Sequence, residues 1–260
     1  MSCSYFILTK TSDKPIHNND NNQIIYLNKC HNYILPQSNI DYYMKHGLFE
    51  SHLIEWSKQF CSKDKVMLDI GAHSGTYTIA LSNYSKHVYS FEPQKMTYYA
   101  LCGSVALSNL RNITCYNYGL GSKEQVGIKD LFIVSNDGGG STVIGSNQSS
   151  NQSSNQSSNQ SSNHDITHNN ALAIEKIEIK TLDSFNVGNV GFIKIDVEEN
   201  ELNVLYGSLE TLKNSNYPTI LFECNKDKAI NWKELFEFLT NLGYKTVDVS
   251  GVSNMFLASH

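Results

Sequence analysis

Apolar and polar positions follow two rhythms along this chain, and the switch between them predicts alternating strands and helices. Val66–Ile70 is a short apolar run that stops at Gly71, and His87–Phe91, Ile113–Tyr118, Gly191–Val197 and Thr219–Glu223 read as further strands. Between them, Tyr77–Tyr84, Lys95–Asn109, Glu201–Leu212 and Trp232–Leu242 have helical character. Lys245–Val249 and Met255–Ala258 close the chain as two strands near enough to pair as a hairpin. Strands spaced by helices imply right-handed crossovers, so the predicted fold is α/β, a doubly wound and largely parallel sheet.

Upstream, Phe49, Leu53, Trp56 and Phe60 recur at helical spacing and predict a helix whose aromatics form a core stripe rather than a binding site. Residues 1–46 are polar and irregular and read as an N-terminal extension: Asn18–Asn22 as a loop, Gln23–Leu27 and Asn32–Leu35 as short strands. The main domain then runs over 47–260, interrupted at 147–162 by the unit Asn-Gln-Ser-Ser repeated four times. A tract with no apolar residue cannot offset its ordering entropy, so it reads as a disordered surface loop. Its Asn-x-Ser sequons have no expected role without a secretory signal.

Composition narrows the class. With 40% hydrophobic and 17% charged residues the chain is globular, and 260 residues suffice for one substantial core. A net charge of -5 supplies no global basic field, which disfavours nucleic acid as a partner. The opening residues lack a basic start and an adequate apolar stretch for a signal, and no run is long enough to cross a bilayer, so a cytoplasmic location with no membrane partner is expected. Six cysteines without a C-x-x-C pair argue against zinc and read as small buried hydrophobes.

In an open parallel sheet, ligands bind beyond the carboxyl ends of the strands. After the first strand comes Asp69-Ile-Gly71-Ala72-His73-Ser-Gly75, whose glycines permit a sharp turn against a ligand. Glu92 follows the second strand, where a carboxylate can accept both hydroxyls of a ribose. Neither the dinucleotide fingerprint nor the phosphate loop is present, so a pyrophosphate is poorly served. S-adenosylmethionine, with an ammonium, a sulfonium and a ribose but no phosphate, suits this set. Asp69, Gly71, Ala72, His73, Gly75 and Glu92 are the candidate cofactor residues, His73 hydrogen-bonding locally rather than serving as a base.

The second constellation is Phe192-Ile-Lys-Ile-Asp-Val-Glu-Glu-Asn-Glu-Leu202. Strand alternation puts Phe192, Lys194 and Asp196 on one face and Ile193, Ile195 and Val197 on the other. A lysine in a central strand needs a buried anionic partner, with Asp196 or Glu223 at hand. Glu201 reads equally well as an acid favouring a helix start. Asp196, Glu198 and Lys194 are therefore the candidate catalytic residues. Asp196 could take the proton of an acceptor hydroxyl, or Asp196 and Glu223 could hold a divalent cation that acidifies it; the spacing alone leaves both open.

The ordered set Leu68-Asp-Ile-Gly-Ala-His-Ser-Gly75, Ser90-Phe-Glu-Pro93, Thr181-Leu-Asp-Ser184, Ile193-Lys-Ile-Asp-Val-Glu198 and Leu221-Phe-Glu223 resembles the FkbM-type methyltransferases, within the class I S-adenosylmethionine-dependent superfamily. The resemblance begins near Gly47-Leu-Phe-Glu50 and runs to the last strand, omitting the repeat. It implies a Rossmann-like, seven-stranded sheet with an antiparallel last strand, and O-methylation of a sugar or other small hydroxylated molecule. Methylation of a protein or RNA end, and a cofactor-binding scaffold without catalysis, are the alternative expectations. The chain departs from the family pattern at Glu199, where Gly is usual, and at Ser104 and Ser108, where Asn is frequent. Asn136–Ser141 falls in a variable segment that reads as a lid or as the lead-in to the repeat.

Overall fold

A computed structural model of the chain describes residues 4–11, 30–135, 139–143, 171–226 and 231–260. The expected loop at Asn18–Asn22, the strand at Gln23–Leu27, the repeat at 147–162 and the first half of Asn136–Ser141 lie outside the described residues.

The central sheet has seven strands: β3 (Val66–Ile70), β4 (His87–Phe91), β5 (Ile113–Tyr116), β10 (Val190–Ile195), β11 (Thr219–Glu223), β12 (Lys245–Asp248) and β13 (Met255–Ser259). They lie in the order β12-β13-β11-β10-β3-β4-β5, with β13 antiparallel to both its neighbours and every other pair parallel. The last strand is thus the antiparallel one, as the resemblance implies. Central strands of such a sheet are covered on both faces, which is why β3 is buried throughout. Leu68, Ile70, Ile193, Ile195 and Phe222 pack on one face, Met67, Val88, Phe192 and Leu221 on the other.

The crossovers are helical: α3 (Thr76–Ser82), α4 (Lys95–Leu107), α5 (Glu201–Tyr206), α6 (Leu209–Asn214) and α7 (Trp232–Asn241). The single helix expected over Glu201–Leu212 is two, broken at Gly207 and Ser208. A Cβ on Gly207 would lie 2.1 Å from the Gly121 carbonyl oxygen, so the chain must turn there to pass that backbone. Asp183 then starts α6, its carboxylate accepting the Glu210 and Thr211 N–H groups at 3.1 and 2.8 Å. This gives the Thr181-Leu-Asp-Ser184 motif a structural role.

A second sheet, absent from the sequence expectation, fills the stretch between β5 and β10. It consists of β6 (Gly119–Leu120), β7 (Gly127–Ile133), β8 (Thr142–Val143) and β9 (Ala173–Lys180) in the order β6-β9-β7-β8. Ile177 and Ile179 alternate with charged residues along β9, and they and Leu131 form its buried face.

The N-terminal segment is also more ordered than expected. β1 (Tyr5–Thr11) pairs antiparallel with β2 (Cys30–Pro36), followed by α1 (Ile40–His46) and α2 (Ser51–Ser57). Tyr33, Leu35, Tyr43 and Leu48 pack on Ile79 of α3. The other edge of β2 faces α4, where two serines one turn apart receive its backbone donors: Ile34 N–H to Ser104 Oγ and Asn32 N–H to Ser108 Oγ, both 2.8 Å. An edge strand that would otherwise present open N–H groups is thereby closed by a helix.

The aromatic stripe expected at 49–60 is corrected. Leu53 is buried and Phe60 stacks on Phe192, but Phe49 is 38% and Trp56 37% exposed. The helix is short and its first aromatic precedes it, so Phe49 turns to a cavity instead of the core. Among the described cysteine side chains Cys224 is buried, while Cys61, Cys102 and Cys115 are half-buried; all are free. Among the described residues no helix is long and apolar enough to cross a membrane.

Replacing Ser104 by Ala strands the Ile34 N–H against α4 and is expected to cost about 1–2 kcal/mol, with Ser108→Ala costing less. Denaturant unfolding reads the loss, and hydrogen exchange should accelerate first at Asn32 and Ile34. An unchanged midpoint in the double variant would show that the hairpin is held by its apolar face alone.

Candidate active site

The carboxyl ends of β3, β4 and β10 open into a cavity of about 370 Å³, within the range of small-molecule sites. The second sheet and the N-terminal segment supply its other walls, through Leu131, Ile177 and Ile179 on one side and Tyr43, Phe49 and Glu50 on the other.

The loop after β3 forms one end. Gly71 has φ 77°, and a Cβ there would lie 1.7 Å from the Asp196 carbonyl oxygen, so only glycine lets this loop pass the end of β10. The Gly71 and Ala72 N–H groups both donate to the Phe91 carbonyl at 3.0 Å, tying the loop to β4. Gly75, at φ 85°, begins α3 by accepting the Ile79 N–H at 2.9 Å. Glu92 reaches back across the loop: one oxygen accepts the His73 N–H and the other the Gln94 N–H, each at 2.9 Å. Burial pushes its carboxyl up to about 7 against the pull of those two bonds. The His73 ring lies 3.2 Å from the Ser74 hydroxyl, a local bond of the kind expected.

Asp69 lies beneath the loop, fully buried. Its Oδ2 accepts the Thr78 hydroxyl at 2.5 Å, while Oδ1 is buried with no hydrogen-bond partner among the described residues. Burial raises its carboxyl, Lys194 and Thr78 opposing. Asp69 does not line the cavity, and the positive charge that acts on it is that of Lys194 on the neighbouring strand.

At the other end, the register aligns Lys194 with Asp69 across β10 and β3. Lys194 is 4% exposed, donates to Asp196 Oδ2 at 2.7 Å and stands 5.0 Å from the Tyr77 ring. Burial disfavours its charge, but the carboxylates of Asp196, Asp69 and Glu50 outweigh this and hold it firmly protonated. Burial would likewise raise Asp196, yet Lys194 and a hydrogen bond with Glu223 hold it below the usual range. Glu223, pushed up to about 8 by burial and by the Asp196 charge, keeps the proton the pair shares.

The acidic turn beyond Asp196 is unusual in its backbone. Glu198 and Glu199 are consecutive left-handed residues, φ 49° and 71°. Glu198 Oε1 accepts the Gly140 N–H at 2.9 Å, and the Thr142 hydroxyl donates to its carbonyl at 3.3 Å, so the turn is tied to the lead-in of β8. Glu201 is buried in the first turn of α5, accepts the Val197 N–H at 3.4 Å, and is pushed up to about 7 by burial.

Of the residues expected from sequence, Gly71, Ala72, His73, Glu92, Lys194, Asp196 and Glu198 share the cavity wall. Asp69 and Gly75 support it from below, and Glu223 stands behind Asp196. No group of three or more metal-ligating side chains occurs among the described residues, and Asp196 and Glu223 are engaged with Lys194 and with each other. Sequence reasoning missed Glu50, Tyr77 and the aromatics Tyr43 and Phe49. The Gly47-Leu-Phe-Glu50 segment was a visible signal for the first of these.

The wall thus carries Glu50, Glu92, Asp196 and Glu198 against one lysine, itself neutralised. Such a surface repels phosphates and attracts cations. S-adenosylmethionine, whose sulfonium and ammonium outnumber its carboxylate, fits that donor set.

A family model described as the FkbM methyltransferase domain matches residues 69–246. Among solved structures, the chain is similar to the FkbM methyltransferase of Methylobacillus flagellatus KT, with a TM-score of 0.51 and 15% identity, covering 76% of this chain and 44% of that one. It therefore spans less than half the length of that protein. The precorrin-6y C5,15-methyltransferase of Geobacter metallireducens gives a TM-score of 0.47 at 13% identity, covering 82% and 89%. The ribosomal protein L11 methylase of Lactobacillus delbrueckii gives 0.45 at 10%, covering 80% and 76%. No curated protein matches the sequence.

Glu199 departs from the family glycine in its side chain but keeps a backbone that glycine adopts freely. Glu199→Gly is accordingly expected to raise stability by about 0.5–1 kcal/mol, left-handed strain relieved minus the entropy of a freer unfolded chain. A lowered denaturation midpoint would show that the Glu199 side chain contributes something the backbone does not reveal. A family model matched over more than two thirds of its length shows that this chain belongs to the FkbM methyltransferases, a family dependent on S-adenosylmethionine.

Proposed function

We propose that the chain transfers a methyl group from S-adenosylmethionine to a hydroxyl of a small acceptor, a saccharide or similarly hydroxylated molecule. The observation that carries this reading is the cavity wall itself, with carboxylates at both ends and a single, engaged lysine between them. Gly71, Ala72, His73 and Glu92 would hold the cofactor, supported from beneath by Asp69 and Gly75. Glu92 accepts the ribose hydroxyls on the lone pairs its two backbone bonds leave free.

The bound cofactor supplies an electrophilic methyl group on a sulfonium. The chain must align a nucleophile with it and receive a proton. Asp196 stands where that proton would leave, and Lys194 fixes its orientation. Glu198 would stand beside it on the acceptor side, and Phe49, 38% exposed on the cavity wall, offers an apolar surface of the kind that packs on a sugar ring. An RNA end or a basic protein segment is less well served, because the described lining contains no free cation for a phosphate backbone. On this reading residues 30–50 belong to the catalytic unit rather than to an appended extension.

Calorimetric titration should show binding of S-adenosylmethionine and none of NAD; heat with NAD alone would sink the proposal. Affinity should strengthen as pH rises through about 7, where Glu92 loses its proton and can accept both hydroxyls, by up to about ten-fold between pH 6 and 8. Asp196→Asn should lower methyl transfer to candidate sugars by roughly 10²–10⁴-fold while cofactor affinity holds. Undiminished turnover would remove Asp196 from the mechanism.

A further inference from the structure

Glu50 belongs to the N-terminal segment, two residues beyond the buried Leu48 and immediately before α2. It lies on the cavity wall, as do Thr76 and Tyr77 of the first turn of α3. Its backbone is left-handed, φ 53°, a conformation that costs a non-glycine residue energy and persists only where the surroundings impose it. The Tyr77 hydroxyl donates to its Oε2 at 2.8 Å, which fixes the carboxylate in place. No donor among the described residues reaches Oε1.

We propose that Glu50 is the residue that receives the α-ammonium of the cofactor. The inference rests on the reading above that the cavity holds S-adenosylmethionine. Glu92 would hold the ribose, and Glu50, on the same cavity wall beside the first turn of α3, would be left to receive the amino-acid end. Among the wall carboxylates Asp196 is ion-paired with Lys194 and Glu92 carries a backbone N–H on each oxygen, whereas Glu50 is held by a single hydroxyl on one oxygen, and Asp69 lies buried beneath the wall rather than on it. Glu50 has one oxygen to spare, and an ammonium is the donor that a fixed carboxylate at a cavity wall suits best. Tyr77 then has two duties, holding Glu50 through its hydroxyl and bearing Lys194 against its ring. The N-terminal segment would thus discriminate the amino-acid end of the ligand.

The test compares two ligands by titration calorimetry. S-adenosylhomocysteine carries the α-ammonium; 5′-methylthioadenosine keeps the adenosine and thioether and lacks the amino-acid end. Glu50→Gln retains an acceptor for Tyr77 and should fold as the parent, checked by its melting temperature. It should weaken S-adenosylhomocysteine on the order of ten-fold or more and leave 5′-methylthioadenosine unchanged. Glu50→Asp, which keeps the charge, should recover part of the difference. Equal weakening of both ligands, or of neither, overturns the proposal. If the unaltered protein binds neither ligand, the cofactor reading itself fails, a result distinct from a Glu50 variant that behaves as the parent does.

Discussion

The loop after β3 and the end of β10 meet backbone to backbone, and the geometry of the site follows from that contact. The Asp196 N–H donates to the Ile70 carbonyl at 2.9 Å, and the Asp196 carbonyl occupies the space that a side chain on Gly71 would need. Two segments over a hundred residues apart in sequence are thereby held without any intervening side chain whose rotamer could vary. A group lying on the loop and a group lying against Asp196 are consequently kept at one separation, which is what a displacement reaction requires of its two partners. Because the contact is between main chains, it tolerates variation on either side of it except at Gly71.

That closeness concentrates acids, and Lys194 makes the concentration tolerable. Asp69, Asp196 and Glu50 all bear on its ammonium, and without it several buried carboxylates would face one another across adjacent strands. One lysine does not neutralise them all. Glu92, Glu223 and Asp69 are left with carboxyls raised by burial, so protons are partly retained where a cation is absent. The site is electrostatically poised for a ligand of positive charge. It should also hold a neutral product less firmly than a cationic substrate, since transfer of the methyl group removes the sulfonium charge.

What the sequence disclosed, and what it hid, divides along a physical line. β4 and β11 ended where expected because each is a short apolar run closed by an acid, Glu92 just after the one and Glu223 at the end of the other. A buried anionic partner for Lys194 could be expected in advance, Asp196 or Glu223, because a lysine in a central strand requires one; the structure pairs it with Asp196. The second sheet stayed hidden although Ile177 and Ile179 alternate with charges, because its strands pair with one another across an insertion rather than with the parallel sheet. Glu50 stayed hidden for a different reason. The Gly47-Leu-Phe-Glu50 segment marked it, but its place on the cavity wall rests on the Tyr77 hydroxyl, 27 residues away, and on a left-handed backbone that the sequence does not announce. Ser104 and Ser108 looked like departures from a pattern; their meaning emerges only with β2 lying against them.

The hairpin and the second sheet are each anchored to the rest of the fold by polar bonds as well as by apolar contacts. Ser104 and Ser108 hold β2 to α4; Glu198 holds the lead-in of β8 to the acidic turn. The second anchor is made by a wall residue of the site, so the position of β8 and the direction of the Glu198 carboxylate are coupled. The wall at Glu198 is thus held by hydrogen bonds to a separate segment of the chain, whereas the wall at Gly71 is built on main-chain contacts that leave no room for a side chain.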